Sequence, residues 1–192
     1  MVSTQKVKKV DLIEEIQAYH PFNQQEEKDK EQILFALSTF QRVFFRDNLF
    51  AHMTASAWVV NENKDKVLMA YHNLYQSWAW LGGHADGEQN LLQVAIREAQ
   101  EESGLQKVRP LQNSIYSLEV LTVDGHIKHG NYVPSHIHLN LTYLLEANEK
   151  ERVSVKADEN SGVAWFSFSD AQTVSTERWY RDNIYSKLIA KL

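Results

Sequence analysis

The cleanest alternation of apolar and polar positions runs from Ser135 to Leu145. Ile137, Leu139, Leu141, Tyr143 and Leu145 fall on one face, and His136, His138, Asn140 and Thr142 on the other. A period of two over this length predicts a half-buried strand. The same period opens at His52, where His52, Thr54 and Ser56 alternate with Met53, Ala55 and Ala57 before Trp58, Val59 and Val60. The turn-forming run Asn61–Asp65 then predicts a hairpin onto Lys66–Tyr71. Shorter strands are expected at Ser77–Leu81, Ser114–Val123 and Gly162–Phe168, and Asp124–Pro134 and Glu146–Asn160 read as loops.

Helical periodicity marks four other stretches. Val10, Ile13, Ile16 and Gln17 form a stripe limited by Pro21, and Ile33, Leu34, Leu37, Phe40, Phe44 and Phe45 form a second, so residues 1 to about 48 read as helical. Leu92, Ala95, Ile96 and Ala99 share a stripe, with Asn90 and Gln93 as a capping pair, Leu91 as the helix start and Gly104 as the stop. Ser169 or Asp170 is placed to cap a short helix, and Thr176–Leu192 reads as a closing helix with Trp179, Ile184, Leu188 and Leu192 on its stripe. Two helices, then strands interrupted by one central helix, then a strand and a helix suit an α/β mixed sheet covered on both faces. Residues 1–49 read as an N-terminal helical extension packed on a domain spanning 50–192; the greasy second stripe would serve as an added layer, a homodimer surface or a lid.

Composition narrows the function classes. A hydrophobic fraction of 43% with 23% charged residues is enough for a core. The net charge is −5, without a basic block, which disfavours duplex nucleic acid as a partner. The chain has no cysteine, so disulfides, zinc–thiolate sites and thiol nucleophiles are excluded. Neither an apolar leader nor a membrane-length run stands out, and a cytoplasmic location is the expectation.

The central helix carries a feature that folding alone does not call for. Glu98, Glu101 and Glu102 lie at i, i+3 and i+4, where like charges repel by roughly 0.2–0.5 kcal/mol per pair. Such a face is either solvated or holds a cation. Read from Gly83, the sequence continues through Gln89 to Arg97, Glu98, Ala99, Glu101, Glu102, Gly104 and Leu105. This resembles the Nudix box, G-x5-E-x7-R-E-U-x-E-E-x-G-U, with eight of nine specified positions in place. The departure is Gln89, which stands where the box has its first Glu, with Glu88 one residue early.

The resemblance implies a Nudix-like α/β/α sandwich over roughly Phe50–Leu192. It also implies a Mg²⁺- or Mn²⁺-dependent hydrolase that cleaves a phosphoanhydride in a nucleoside diphosphate linked to another moiety, a small-molecule, nucleotide-type substrate. Hard divalent cations take oxygen ligands, which the cluster supplies. In the resemblance, Glu98, Glu101 and Glu102 bind metal and Glu98 or another acid activates water. Arg97 orients a helix glutamate, and a carbonyl of Gly82 or Gly83 completes the coordination. Glu159 would be an acid brought from outside the box, or a surface acid.

His52, His136 and His138 lie on polar strand faces, and His84 follows the glycine turn. They read as substrate-pocket residues or as hydrogen-bonded structural histidines, with a histidine-bound transition metal as a third reading. Trp58, Trp78, Trp80 and Trp165 could stack on a base or pack the core. A non-catalytic Nudix-fold ligand-binding module is the alternative function, and Gln89 is the point in its favour. Isopentenyl-diphosphate isomerase shares the fold, but that family relies on a catalytic cysteine, and this chain has none.

Overall fold

The computed structural model describes residues 9–128 and 130–192. The helical expectation for residues 1–8 and the side chain of Val10 lie outside the described residues. Two helices come first, α1 (Lys9–Ala18) and α2 (Gln24–Thr39). Asn23 starts α2 by accepting the Glu26 amide at 2.9 Å. Strands β1 (Ala51–Val60), β2 (Lys66–His72), β3 (Ser77–Ala79) and β4 (Leu81–His84) lead to helix α3 (Leu91–Ser103). Strands β5 (Val108–Pro110), β6 (Ser117–Val123), β7 (His126–Lys128), β8 (Asn131–Val133), β9 (His136–Ala147) and β10 (Asn160–Ser167) follow. Helix α4 (Phe168–Val174), a π-helical turn (Tyr180–Tyr185) and helix α5 (Ser186–Ala190) complete the order.

The main sheet runs β10-β2-β1-β9-β5, with β3 on β2, β4 on β1 and β6 on β9. Among the described residues only β1 and β9 pair in parallel, from Ala51↔Ile137 to Val60↔Glu146, so the sheet is mixed. On one face, Met53, Ala55, Val59, Leu139, Leu141, Tyr143 and Leu145 pack with Val94, Ala95 and Ala99 of α3 and with Ile33 and Leu37 of α2. The other face changes character along its length. At one end Trp58, Val60, Val67, Met69 and Leu144 pack with Ile184, Tyr185 and Leu188. At the other end the same face carries His52, Thr54, Ser56, His138, Asn140 and Thr142. Half of that face is core and half is the floor of a cavity. Burying one such apolar side chain contributes about 1.5–3 kcal/mol, so the polar half forgoes stability that an apolar face would have supplied.

The N-terminal helices lie against β6, the strand beyond β9. The Asp29 carboxylate accepts the Val120 amide of β6 at 2.9 Å, a donor that an open strand edge would leave free, and Glu15 accepts the Ile115 amide just before the strand at 3.2 Å. Glu26, fully buried, accepts from the Tyr19 hydroxyl at 2.6 Å, the Ser117 hydroxyl at 2.7 Å and the Lys191 ammonium at 2.9 Å. Lys187, also buried, lies 3.2 Å from Glu26 and 3.0 Å from the buried Glu119. The second stripe is not helical to residue 48: α2 ends at Thr39, and Phe40, Phe44 and Phe45 follow outside the helix. Ile33, Leu37 and Phe44 are buried in the molecule, while Phe35 and Phe45 are exposed.

Four local expectations are corrected. Asp124–Pro134 is not a plain loop: β7 and β8 form a hairpin with His126↔Val133 in register. Three-residue strands carry too few positions for an alternation to show. Strand β5 arises within a stretch that showed no period. The cap of α4 is Ser167, whose hydroxyl accepts the Asp170 amide at 3.1 Å, rather than Ser169 or Asp170. The closing helix is continuous over 178–190 but passes through a π segment (Tyr180–Tyr185) before α5; Ile184 and Leu188 of its stripe are buried, and Trp179 and Leu192 are exposed.

Candidate active site

Helix α3 is held at both ends. The Asn90 side chain accepts the Gln93 amide at 3.3 Å, and Gly104 ends the helix in the left-handed region at φ 73°. Its apolar stripe against the sheet fixes the rotation of the helix, and this sets the height of each glutamate. Glu102 is buried, 5% exposed, and accepts the Gly82 amide of β4 at 2.9 Å. Burial pushes its carboxyl up to about 8; the Gly82 hydrogen bond opposes this, and the neighbouring Glu98 and Glu159 add to it. Glu98, half-buried, is raised for the same first reason, with Arg97 pulling the other way. A Cβ on Gly83 would fall 2.6 Å from Glu98 Oε2, so the missing side chain is what admits this carboxylate beside β4.

Arg97 donates to Glu98 Oε1 at 2.8 Å and lies 3.8 Å from Glu101, and its guanidinium reaches the His84 carbonyl at 3.5 Å. Lys156, which showed no sequence pattern, bridges Glu101 at 3.3 Å and Glu159 at 3.1 Å. Glu159 thereby stands beside the box helix although it is far away in sequence.

Gly82, Arg97, Glu98, Glu101, Glu102 and Glu159 line one cavity of about 970 Å³, and His84 and His138 line it too. His52 and His136 stand outside that lining, against the other two: the His52 ring centroid is 5.1 Å from His84, 5.1 Å from His138 and 4.9 Å from His136. Burial lowers the pKa of His84 to about 2, with Arg46 and His52 adding to the effect, and lowers His52 and His138 as well. Gln89 is not part of the lining, whereas Glu88 is; the Glu88 carboxylate accepts the Asn90 amide at 2.8 Å. Trp58 is fully buried on Tyr185, and Trp80 reaches the cavity wall with Tyr180.

The cavity floor is a polar network that sequence reading touched only in part. Thr54 and Ser56 donate to Asn140 Oδ1 at 3.0 and 2.9 Å, and Asn140 Nδ2 donates to Glu119 at 2.9 Å. The polar alternation of β9 pointed to Asn140. Glu119 and Lys156 gave no comparable mark, because each meets its partners only through the fold.

The NUDIX domain profile matches residues 51–189. The chain belongs to the NUDIX domain family. The matched region takes in the sheet from β1 onward and all of α3, and α1 and α2 precede it. No curated protein matches the chain. Among solved structures it is similar to the MutT protein from Methanosarcina mazei Go1, at 15% identity and a TM-score of 0.54, over 74% of this chain and 95% of that one. It is also similar to the E. coli dihydroneopterin triphosphate pyrophosphohydrolase, at 13% identity and a TM-score of 0.54, over 73% and 96%. A Nudix hydrolase from M. Smegmatis, RenU, aligns at 15% identity with a TM-score of 0.50, over 72% and 84%. At these identities the likeness is one of fold, and it covers most of each relative.

Proposed function

We propose that this NUDIX-family chain is a hydrolase of phosphoanhydride bonds in a nucleoside diphosphate linked to another moiety, with Glu98, Glu101 and Glu102 holding Mg²⁺ or Mn²⁺. The observation that carries the reading is Glu102. A buried carboxyl pushed up to about 8 beside two further acids is costly to ionise alone and suited to a hard divalent cation. The donor set is oxygen only, and the Gly82 backbone borders it. An ion held there supplies charge neutralisation at the phosphate oxygens and a more acidic water.

The residues divide the remaining work. The Gly82 amide fixes one oxygen of Glu102, which lines the cavity. Arg97 holds Glu98 Oε1 and leaves Oε2 to take the proton of the attacking water. The new bond forms from water oxygen to phosphorus, the bridging P–O bond breaks, and the leaving group departs as a phosphate ester or phosphate. Lys156, between Glu101 and Glu159, limits the repulsion among the acids and lies where an anionic ligand would meet it.

A specific observation favours the binding-module alternative: Gln89 replaces a box acid and lies outside the cavity lining. A screen of nucleotide sugars, dinucleoside polyphosphates, ADP-ribose and nucleoside triphosphates, each with Mg²⁺ and with Mn²⁺, separates the two. Turnover of one class, reduced by a factor of about 100 or more in Glu102→Gln, is expected. Tight binding of a nucleotide without turnover, unchanged by that substitution, would favour the module.

A further inference from the structure

We infer that His52, His84 and His138 form a second metal centre, distinct in its residues from the α3 carboxylates and suited to a transition cation, Zn²⁺ foremost. The three come from adjacent strands of one sheet. His52 and His138 are register partners in the parallel pair β1–β9, and His84 of β4 pairs with Thr54, two residues along β1. Their rings form a nearly equilateral triangle, with centroid separations of 5.1, 5.1 and 4.9 Å. One nitrogen from each lies within 4.8 Å of the other two.

His52 supplies the independent observation. It is 4% exposed, and its Nε2 is buried without a hydrogen-bond partner. Its other nitrogen, Nδ1, lies 3.2 Å from the Asn48 carbonyl, which can only accept. Nδ1 therefore carries the proton, and Nε2 keeps a lone pair with nothing to receive it. This is the second-sphere arrangement that metal-ligating histidines use, one nitrogen tied to a carbonyl and the other free for the ion. Leaving a buried acceptor unmet is otherwise unfavourable.

The chemistry of the set selects the ion. Neutral imidazoles with no carboxylate among them suit Zn²⁺ and its neighbours and are poor ligands for Mg²⁺. Around a tetrahedral ion with bonds of about 2.0–2.1 Å, two ligand nitrogens sit roughly 3.3 Å apart. The three nitrogens, within 4.8 Å of one another, need only draw inward to reach that spacing. His136 stands outside the set: its Nδ1 is tied to the Pro134 carbonyl at 2.9 Å and its Nε2 is hydrogen-bonded to His138 Nε2 at 3.2 Å. The nearby Arg46 charge is met by Asp86 through a hydrogen bond of 2.7 Å. With His84 and His138 at the cavity wall and His52 behind them, the remaining coordination position opens towards the cavity and would accept water or an anionic oxygen of the ligand.

Metal-stripped protein titrated with Zn²⁺ against a chromophoric chelator, in a large excess of Mg²⁺, tests this assignment. One Zn²⁺ equivalent is expected in the wild type and in Glu98→Gln, with at least about tenfold weaker binding in His52→Gln, His84→Gln and His138→Gln. Co²⁺ in place of Zn²⁺ should give the strong visible absorption of a four-coordinate site, lost in the same three variants. If His52→Gln does not fold, His84→Gln, whose ring is partly accessible, decides. Zn²⁺ affinity equal in the wild type and the histidine variants, or lost in Glu98→Gln alone, would overturn the assignment and leave the histidines as a hydrogen-bonded cluster. Because Glu98→Gln is the variant that should lose turnover and keep Zn²⁺, this result is separable from the hydrolase reading.

Discussion

Glu102 is forced into a choice by its surroundings. Metal-free, its carboxyl is pushed up by burial to about 8 from an ordinary value of 4.5, so the folded state holds a proton that the unfolded state releases between those values. Stability of the metal-free protein then falls as pH rises through that window, since the unfolded chain binds fewer protons there. A divalent cation competes for the same carboxylate, and its effect grows as the proton leaves. The increase in Tm on adding Mg²⁺ should therefore be larger at pH 8 than at pH 5, read by thermal denaturation at matched ionic strength. An increase independent of pH would detach Glu102 from the ion. At this scale the sequence was informative where chemistry sits on one element: Arg97, Glu98, Glu101 and Glu102 are local in sequence and remain neighbours in space. Where chemistry is assembled across strands it named the pieces without their arrangement. The polar strand faces marked His52 and His138 and the glycine turn marked His84, but only the pairing of β1 with β9 and with β4 makes the three adjacent.

Helix α2 is attached by charge as well as by its apolar stripe. Burial opposes ionisation of Glu26, but the Tyr19 hydroxyl, Lys187 and Lys191 outweigh it and hold the carboxyl down at about 2. The stability this contributes is complete above the ordinary carboxylate value of 4.5 and is lost as pH falls towards 2. Glu26→Gln leaves Lys187, itself buried, short of one partner, and a loss of about 3–5 kcal/mol is expected in denaturant unfolding at neutral pH. The variant should also show a flatter decline in stability on acidification than the wild type, and an unchanged acid limb would mean that Glu26 is not the group that titrates. The sequence predicted α2 through its stripe and α3 through its caps, because long amphipathic helices repeat their pattern several times. Strand β5, the β7–β8 hairpin and the π turn were not legible. Each is short or out of register with the period being sought, and each takes its conformation from tertiary partners rather than local preference.

For the whole molecule, the family-matched region does not contain its complete core. Leu12, Ile16, Ile33, Ala36, Leu37, Val43 and Phe44 belong to the same buried cluster as the sheet residues Met53, Leu139 and Leu141. Removing them exposes apolar surface equivalent to roughly 10 kcal/mol or more, comparable to the total stability of an ordinary domain. A chain limited to residues 51–192 should bind a hydrophobic dye and unfold without a cooperative transition; a compact monomer with a sharp melt would show that the helices are dispensable. The α/β class was readable from element order alone. The way α1 and α2 close the sheet was not, since their polar anchors, Glu15, Asp29 and Glu26, look like ordinary helix-surface acids until β6 and the C-terminal helical segment are in place.

The Glu26 cluster also constrains when the native state can exist. Glu26 and Lys191 are separated by 165 positions along the chain, and the central β1–β9 pair joins strands with most of the matched region between them. On a ribosome, α2 emerges long before the cations that make its buried carboxylate tolerable. Until residues 187–191 have left the exit tunnel, Glu26 favours water over the interior, and β1 lacks its parallel neighbour. Contacts this distant in sequence delay folding until synthesis of the last helical segment is over. Vectorial appearance of the α3 acids, midway through translation, thus precedes any fold that could bring them together with Glu159 and the β9 histidines.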